Sequence, residues 1–174
     1  RCMAFVPDAL DATDWKSLEP LYEDLVQRSV DTVGDLEKLI QDESELREWV
    51  SEAGARLYVA MTCSTDDEVK KAAYLDFVEN TEPKLSEVGD KLNRRIMASP
   101  VIDELDRGTY GVMIRDIEAD IRIFREENIP LSTELTKLGQ KYEEISGSMT
   151  VEFQGEGRTM QQMGKFLQVT NRDT

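Results

Sequence analysis

Apolar residues recur along this chain at steps of three and four, and that spacing limits the possible folds more than any other feature. Tyr110, Ile114, Ile117, Ile121 and Phe124 step by four, three, four and three. After "ENIP", the series Leu131, Leu135, Leu138, Tyr142 and Ile145 repeats the same steps. A helix gathers such positions on one face, whereas a strand needs alternation. A stripe this narrow suits a coiled-coil seam between two long helices, or the buried edge of a larger helical array. The array is the expectation here.

The remaining segments carry the same signal. Trp15, Leu18, Leu21, Tyr22 and Leu25 share one helical face, with Pro20 tolerable if the regular helix starts near Ser17. Thr32 and Asp35 have the spacing of a capping box, in which hydroxyl and carboxylate each cover an orphan amide. Leu36, Leu39, Leu46, Trp49, Val50, Ala53 and Leu57 then trace a long helix to about Met61. A second box is expected at Thr65 and Glu68. Asp66 and Asp67 would lie in its first turn, where acids favour the positive end of the helix dipole. These acids do not have calcium-loop spacing. Val69, Ala72, Ala73 and Phe77 are expected on one face, followed by Leu85, Val88, Leu92 and Ile96, with a kink at Pro83. Ser99-Pro100 stops and restarts the chain, a short helix carries Ile102 and Leu105, and "DRGTYG" breaks it again.

Near the C-terminus the period changes. Ser146 and Gly147 are expected to end a helix, after which Met149, Val151 and Phe153 alternate with polar residues. "QGEG" supplies glycines for a turn and "RTM" returns, which predicts a small β-hairpin over about 149–160. Thr159 and Gln162 then cap a short helix with Met160, Met163, Phe166 and Leu167. A lone hairpin is marginal in water, so it must lie against helices. It is either a packed connector or a finger that borders a cleft or meets a peptide by strand addition. The fold class is therefore mainly α: an array of about six long amphipathic helices with one small hairpin, read as a single lobe over 1–174.

Composition narrows the chemistry. The chain has no histidine, which removes H-E-x-x-H zinc sites, Ser-His-Asp and Cys-His catalysis, and Glu-x-x-His di-iron ligands. Cys2 and Cys63 are isolated, which points to a reducing compartment, and Cys63 is expected to pack at a helix end. A net charge of -15 repels phosphate backbones and anionic membranes, so neither nucleic acid nor a membrane is an expected partner. No apolar run approaches the roughly 20 residues of a bilayer span, and "RCMAFV" is too short for a secretory signal. Glu143-Glu144 and Arg94-Arg95 read as solvated faces, and Trp15, Trp49 and Phe124 as core. No residue is assigned a catalytic, cofactor-binding or metal-binding role.

Thr170 and Asp173 again have capping-box spacing, and the first residue is Arg1 rather than Met. The chain is accordingly expected to be a piece of a longer protein. If other helices normally cover one of its faces, it should tend to self-associate through exposed apolar surface.

The order of these motifs resembles the N-terminal region of oligoendopeptidase F, among the thimet-oligopeptidase-like zinc metallopeptidases. The resemblance is carried by "FVPDALDATDWKSLEPLYEDLVQR", "YVAMTCSTDDE", "DFVENTEPKL", "IFREENIPLSTELTKLGQKYEEISGSMTVEFQGEGRTMQQM" and the closing "NRDT". It implies a mostly helical lobe that walls the channel of a cytoplasmic peptidase acting on oligopeptides. It also implies a zinc site in a C-terminal catalytic domain that is missing here, so no zinc ligand can be carried over to this chain. A stand-alone helical scaffold or interaction module is the alternative.

Overall fold

The computed structural model describes residues 5–64 and 67–168. Six helices of nine residues or more occur among them: α1 (Trp15–Gln27), α2 (Val33–Thr62), α3 (Glu68–Asp76), α4 (Glu82–Met97), α5 (Arg107–Ile123) and α6 (Asn128–Ser148). One antiparallel hairpin, β1 (Thr150–Phe153) with β2 (Glu156–Thr159), leads into the single turn α7 (Met160–Met163). The expected mainly helical array with a small hairpin is what the chain forms. It divides into two compact units, Arg1–Thr133 and Glu134–Thr174.

In the first unit, α1 packs on α2 and α4, and α4 packs on α5. Leu18 and Leu25 of α1 and Leu36, Leu39 and Leu46 of α2 are fully buried. Leu92 and Ile96 of α4 and Ile114 and Ile117 of α5 complete the same core. Each fully buried leucine contributes roughly 2 kcal/mol of transfer free energy. Trp15, Trp49, Tyr110 and Ile121 are half-buried against this cluster, as the helical stripes require.

The helix starts show where side-chain chemistry overrides periodicity. Thr32 and Asp35 form the expected capping box: Asp35 N–H donates to Thr32 Oγ1 at 3.2 Å and Thr32 N–H to Asp35 Oδ2 at 2.9 Å. Asp14 caps α1 two residues earlier than expected, so Pro20 lies in the second turn. It faces solvent there, and its missing N–H leaves the Lys16 carbonyl without a helical donor. At α3 the cap is Asp67, which accepts from the Val69 and Lys70 amides at 3.1 and 3.2 Å. Thr65 and Asp66 lie outside the described residues, as do Cys2, Thr170 and Asp173. Asp106 caps α5, so the helix runs straight through Gly108 and Gly111, and the break at "DRGTYG" shrinks to a single step before Arg107.

Between α3 and α4 the chain does not simply kink. Residues Phe77–Thr81 form a π turn in which the Glu82 amide bonds the Phe77 carbonyl, five residues back. Pro83 follows in the first turn of α4, where its ring and absent N–H cost little. The extra residue rotates the apolar stripe, each residue being worth about 100° around the axis. Of the face expected for α3, Phe77 is buried, together with Val78 and Thr81, but Val69 is 80% exposed and Ala72 and Ala73 are also exposed.

In the second unit the hairpin register is Thr150 opposite Thr159 and Phe153 opposite Glu156. Its two-residue loop is Gln154-Gly155, with φ of 54° and 79°. Positive φ at both loop residues matches the right-handed twist of the strands. Gly147 does not take up the left-handed cap conformation, and α6 continues to Ser148. The expected capping box at Thr159 and Gln162 is present, with Thr159 N–H donating to Gln162 Oε1 at 2.9 Å. Phe153 and Phe166 meet with ring centroids 4.9 Å apart, and the Arg158 guanidinium lies 4.9 Å from the Phe166 ring.

Candidate functional site

With no imidazole in the chain, the polar groups available are carboxylates, ammonium and guanidinium groups, amides, hydroxyls and one described thiol. Cys63 sits at the end of α2 and is exposed, not packed as expected. Among the described residues, no three His, Cys, Asp or Glu side chains are grouped where they could hold a metal ion. Zinc of the kind the resemblance implies prefers imidazole and thiolate ligands in a tetrahedral set. With no histidine in the chain, the residues present do not fit that metal, and no catalytic step runs through it here. The candidate surfaces are instead grooves in the helical unit and an apolar helix face.

One groove, about 600 Å³, runs along α2 beside residues 10–13. Trp49, Ala53, Leu57 and Ala60 form its apolar wall. Glu52 and Arg56 edge it as an ion pair at 2.5 Å. On the other side of α2, Gly54 lies so close to Phe77 that an added Cβ would stand 3.0 Å from the ring. The π turn thus seats Phe77 directly on the α2 backbone.

A second groove, about 360 Å³, lies between α1 and α4. Trp15 and Tyr22 stack there with centroids 5.9 Å apart, and the Lys84 ammonium lies 5.6 Å from the Trp15 ring. Burial, reinforced by the negative charge of Glu43, pushes the Tyr22 hydroxyl up to about 12. Burial also raises Glu43 above the usual carboxylate range, partly offset by Arg47 at 3.6 Å. A third hollow of about 300 Å³ between α4 and α5 is lined by Asp90, Asn93, Asp120 and Phe124. Phe124 therefore edges an open hollow instead of filling the core.

Polar clamps fix the helices that form these grooves. Asp42, 3% exposed, accepts from Arg28 Nη1 and Lys38 Nζ, both at 2.6 Å. Arg95 donates to the backbone carbonyl of Arg28, so it is a half-buried tie between α4 and the end of α1. Only its neighbour Arg94, paired with Asp90 at 2.7 Å, is on a solvated face. Asp42 is one charge among many on an amphipathic helix, and Arg95, expected on a solvated face with Arg94, is instead drawn inward by the Arg28 carbonyl.

The two matching four-three stripes end up differently. On α5, Ile114 and Ile117 are buried. On α6, Leu131, Leu135, Leu138, Tyr142 and Ile145 are exposed by 65, 71, 63, 71 and 56%. Met149, Val151 and Met160 of the hairpin segment are exposed as well. Among the described residues, no helix is long and apolar enough to cross a membrane.

No curated protein and no solved structure matches the chain. The family model of the Peptidase M3 N-terminal domain does match, over residues 6–124. The matched stretch takes in all of α1 to α5 and the core they enclose, about two-thirds of the chain. On that match, the chain belongs to the Peptidase M3 N-terminal domain family.

Proposed function

We propose that the chain is the non-catalytic N-terminal lobe of a zinc-dependent oligoendopeptidase, a cytoplasmic enzyme that hydrolyses short peptides. In this reading the lobe helps to wall the substrate channel. Zinc and a general base would be supplied by a catalytic region of the same protein, the metal contributing Lewis-acid chemistry when bound there. The observation that carries the reading is the family match over the entire α1–α5 core in a chain without histidine. The apolar groove beside Trp49 and Leu57 supports a role as a peptide-facing wall. The purified chain, assayed with an internally quenched oligopeptide with and without zinc, should turn over nothing. Zinc-dependent turnover that stays with the chain through purification would contradict the proposal.

The second reading is a helical interaction module without catalytic activity. The five exposed apolar residues of α6 favour it, because a surface stripe of that length normally meets another protein surface.

A further inference from the structure

We infer that α6 pairs with α6 of a second copy of this chain, antiparallel, through its exposed apolar stripe. In heptad terms Leu131, Leu138 and Ile145 occupy d positions and Leu135 and Tyr142 occupy a positions. An antiparallel partner then stacks Leu131 on the partner's Tyr142 and Leu135 on the partner's Leu138, with both layers repeated by symmetry. The stripe spans about 21 Å of helix.

The flanks of the stripe favour this register. On one side the g positions are Glu134 and Lys141. Antiparallel pairing sets Glu134 of each copy beside the partner's Lys141, giving two opposite-charge pairs, whereas a shift by one heptad would set lysine against lysine. Within one copy Glu134 meets Lys137 at 3.4 Å in an exposed pair, the kind of contact worth little to a single chain. On the other side the e positions are Ser132, Gly139 and Ser146, all small. Gly139 weakens a helix interior relative to Ala, and nothing lies within 4 Å of where its Cβ would be. No contact within one copy therefore calls for a glycine there, and the small edge lets two helices approach closely.

The five side chains offer on the order of 500 Å² of apolar surface per copy at typical burial values. That places the pair at the low end of specific interfaces, where association is reversible and micromolar. The inference does not depend on the peptidase reading.

Sedimentation equilibrium over about 5–500 μM chain tests it. The expected result is a reversible monomer–dimer equilibrium. Leu138→Glu should weaken it by about tenfold or more with helicity by circular dichroism unchanged. Glu134→Lys should weaken it, and adding Lys141→Glu to that variant should restore it. A chain that stays monomeric, leaving the face to some other partner, overturns the inference. So does a dimer insensitive to Leu138→Glu, or one that the double exchange fails to restore.

Discussion

Arg28, the residue that ends α1, donates through Nη1 to the buried carboxylate of Asp42 on α2 at 2.6 Å. Its own backbone carbonyl accepts from Arg95 of α4. One residue thus ties three helices of the core together. Breaking a buried pair by removing one partner leaves a charge uncompensated. Arg28→Met is expected to lower unfolding free energy by about 3 kcal/mol, because Asp42 would keep only the half-exposed Lys38. A urea titration reads this as a lower midpoint at unchanged slope. A loss no larger than that of an ordinary surface substitution would mean that the clamp is not part of the stable core.

Gly54 and Gly89 both lie inside helices but should respond oppositely to substitution. Gly54→Val drives new carbon atoms into the buried Phe77 ring and should cost about 2 kcal/mol. Gly89→Ala meets nothing within 4 Å and should gain about 0.5–1 kcal/mol through helix propensity. Thermal melts of the two variants should move in opposite directions.

Glu43 sets a pH dependence. Burial raises its pKa above the ordinary value of 4.5, so the folded state favours the protonated form. The stability it contributes is fully present below that ordinary value and is lost as pH rises through the raised one. Glu43→Gln should therefore match the wild type near pH 4 and be more stable at pH 7, by urea midpoint. The capping carboxylates work the other way. Hydrogen bonds from the Thr32 and Thr109 side chains and nearby amides hold Asp35 and Asp106 below the usual range. What they contribute is present above the ordinary carboxylate value and is lost as pH falls through their lowered values.

The hairpin offers a local test. Gln154 has φ of 54°, a region that favours glycine and asparagine. Gln154→Gly should slow hydrogen exchange at the β1–β2 amides. Phe153→Ala removes the ring that meets Phe166 and should abolish their protection. Unchanged exchange in both variants would show that neither the loop nor the ring contact holds the strands together.

The helices and hairpin could be read from the chain because periodicity and caps are local. Leu36 and Leu39, Thr32 with Asp35, and Thr159 with Gln162 each announce an element within a few residues. The π turn at Phe77–Thr81 left no such mark, since its bonding is a backbone matter with no side-chain signature. It misled the reading of α3, where Val69 faces solvent. At Asp67 several acids and hydroxyls competed for one cap, and spacing alone did not choose among them. The stripes of α5 and α6 carry the deeper lesson. Identical steps place Ile114 in the core and leave Leu135 exposed, because periodicity names a face and not what covers it. The clamp of Arg28, Asp42 and Arg95 depends on three separate helices meeting, which no local pattern encodes.

The central claim is that this lobe serves a peptidase whose metal chemistry resides elsewhere in the same protein. The most direct measurement is the coding sequence downstream of Thr174, together with the zinc content of the product it encodes. The account predicts an H-E-x-x-H motif on a later helical segment and about one zinc per chain in that product. A stop codon immediately after Thr174, or a downstream region without that motif and without bound zinc, would contradict it.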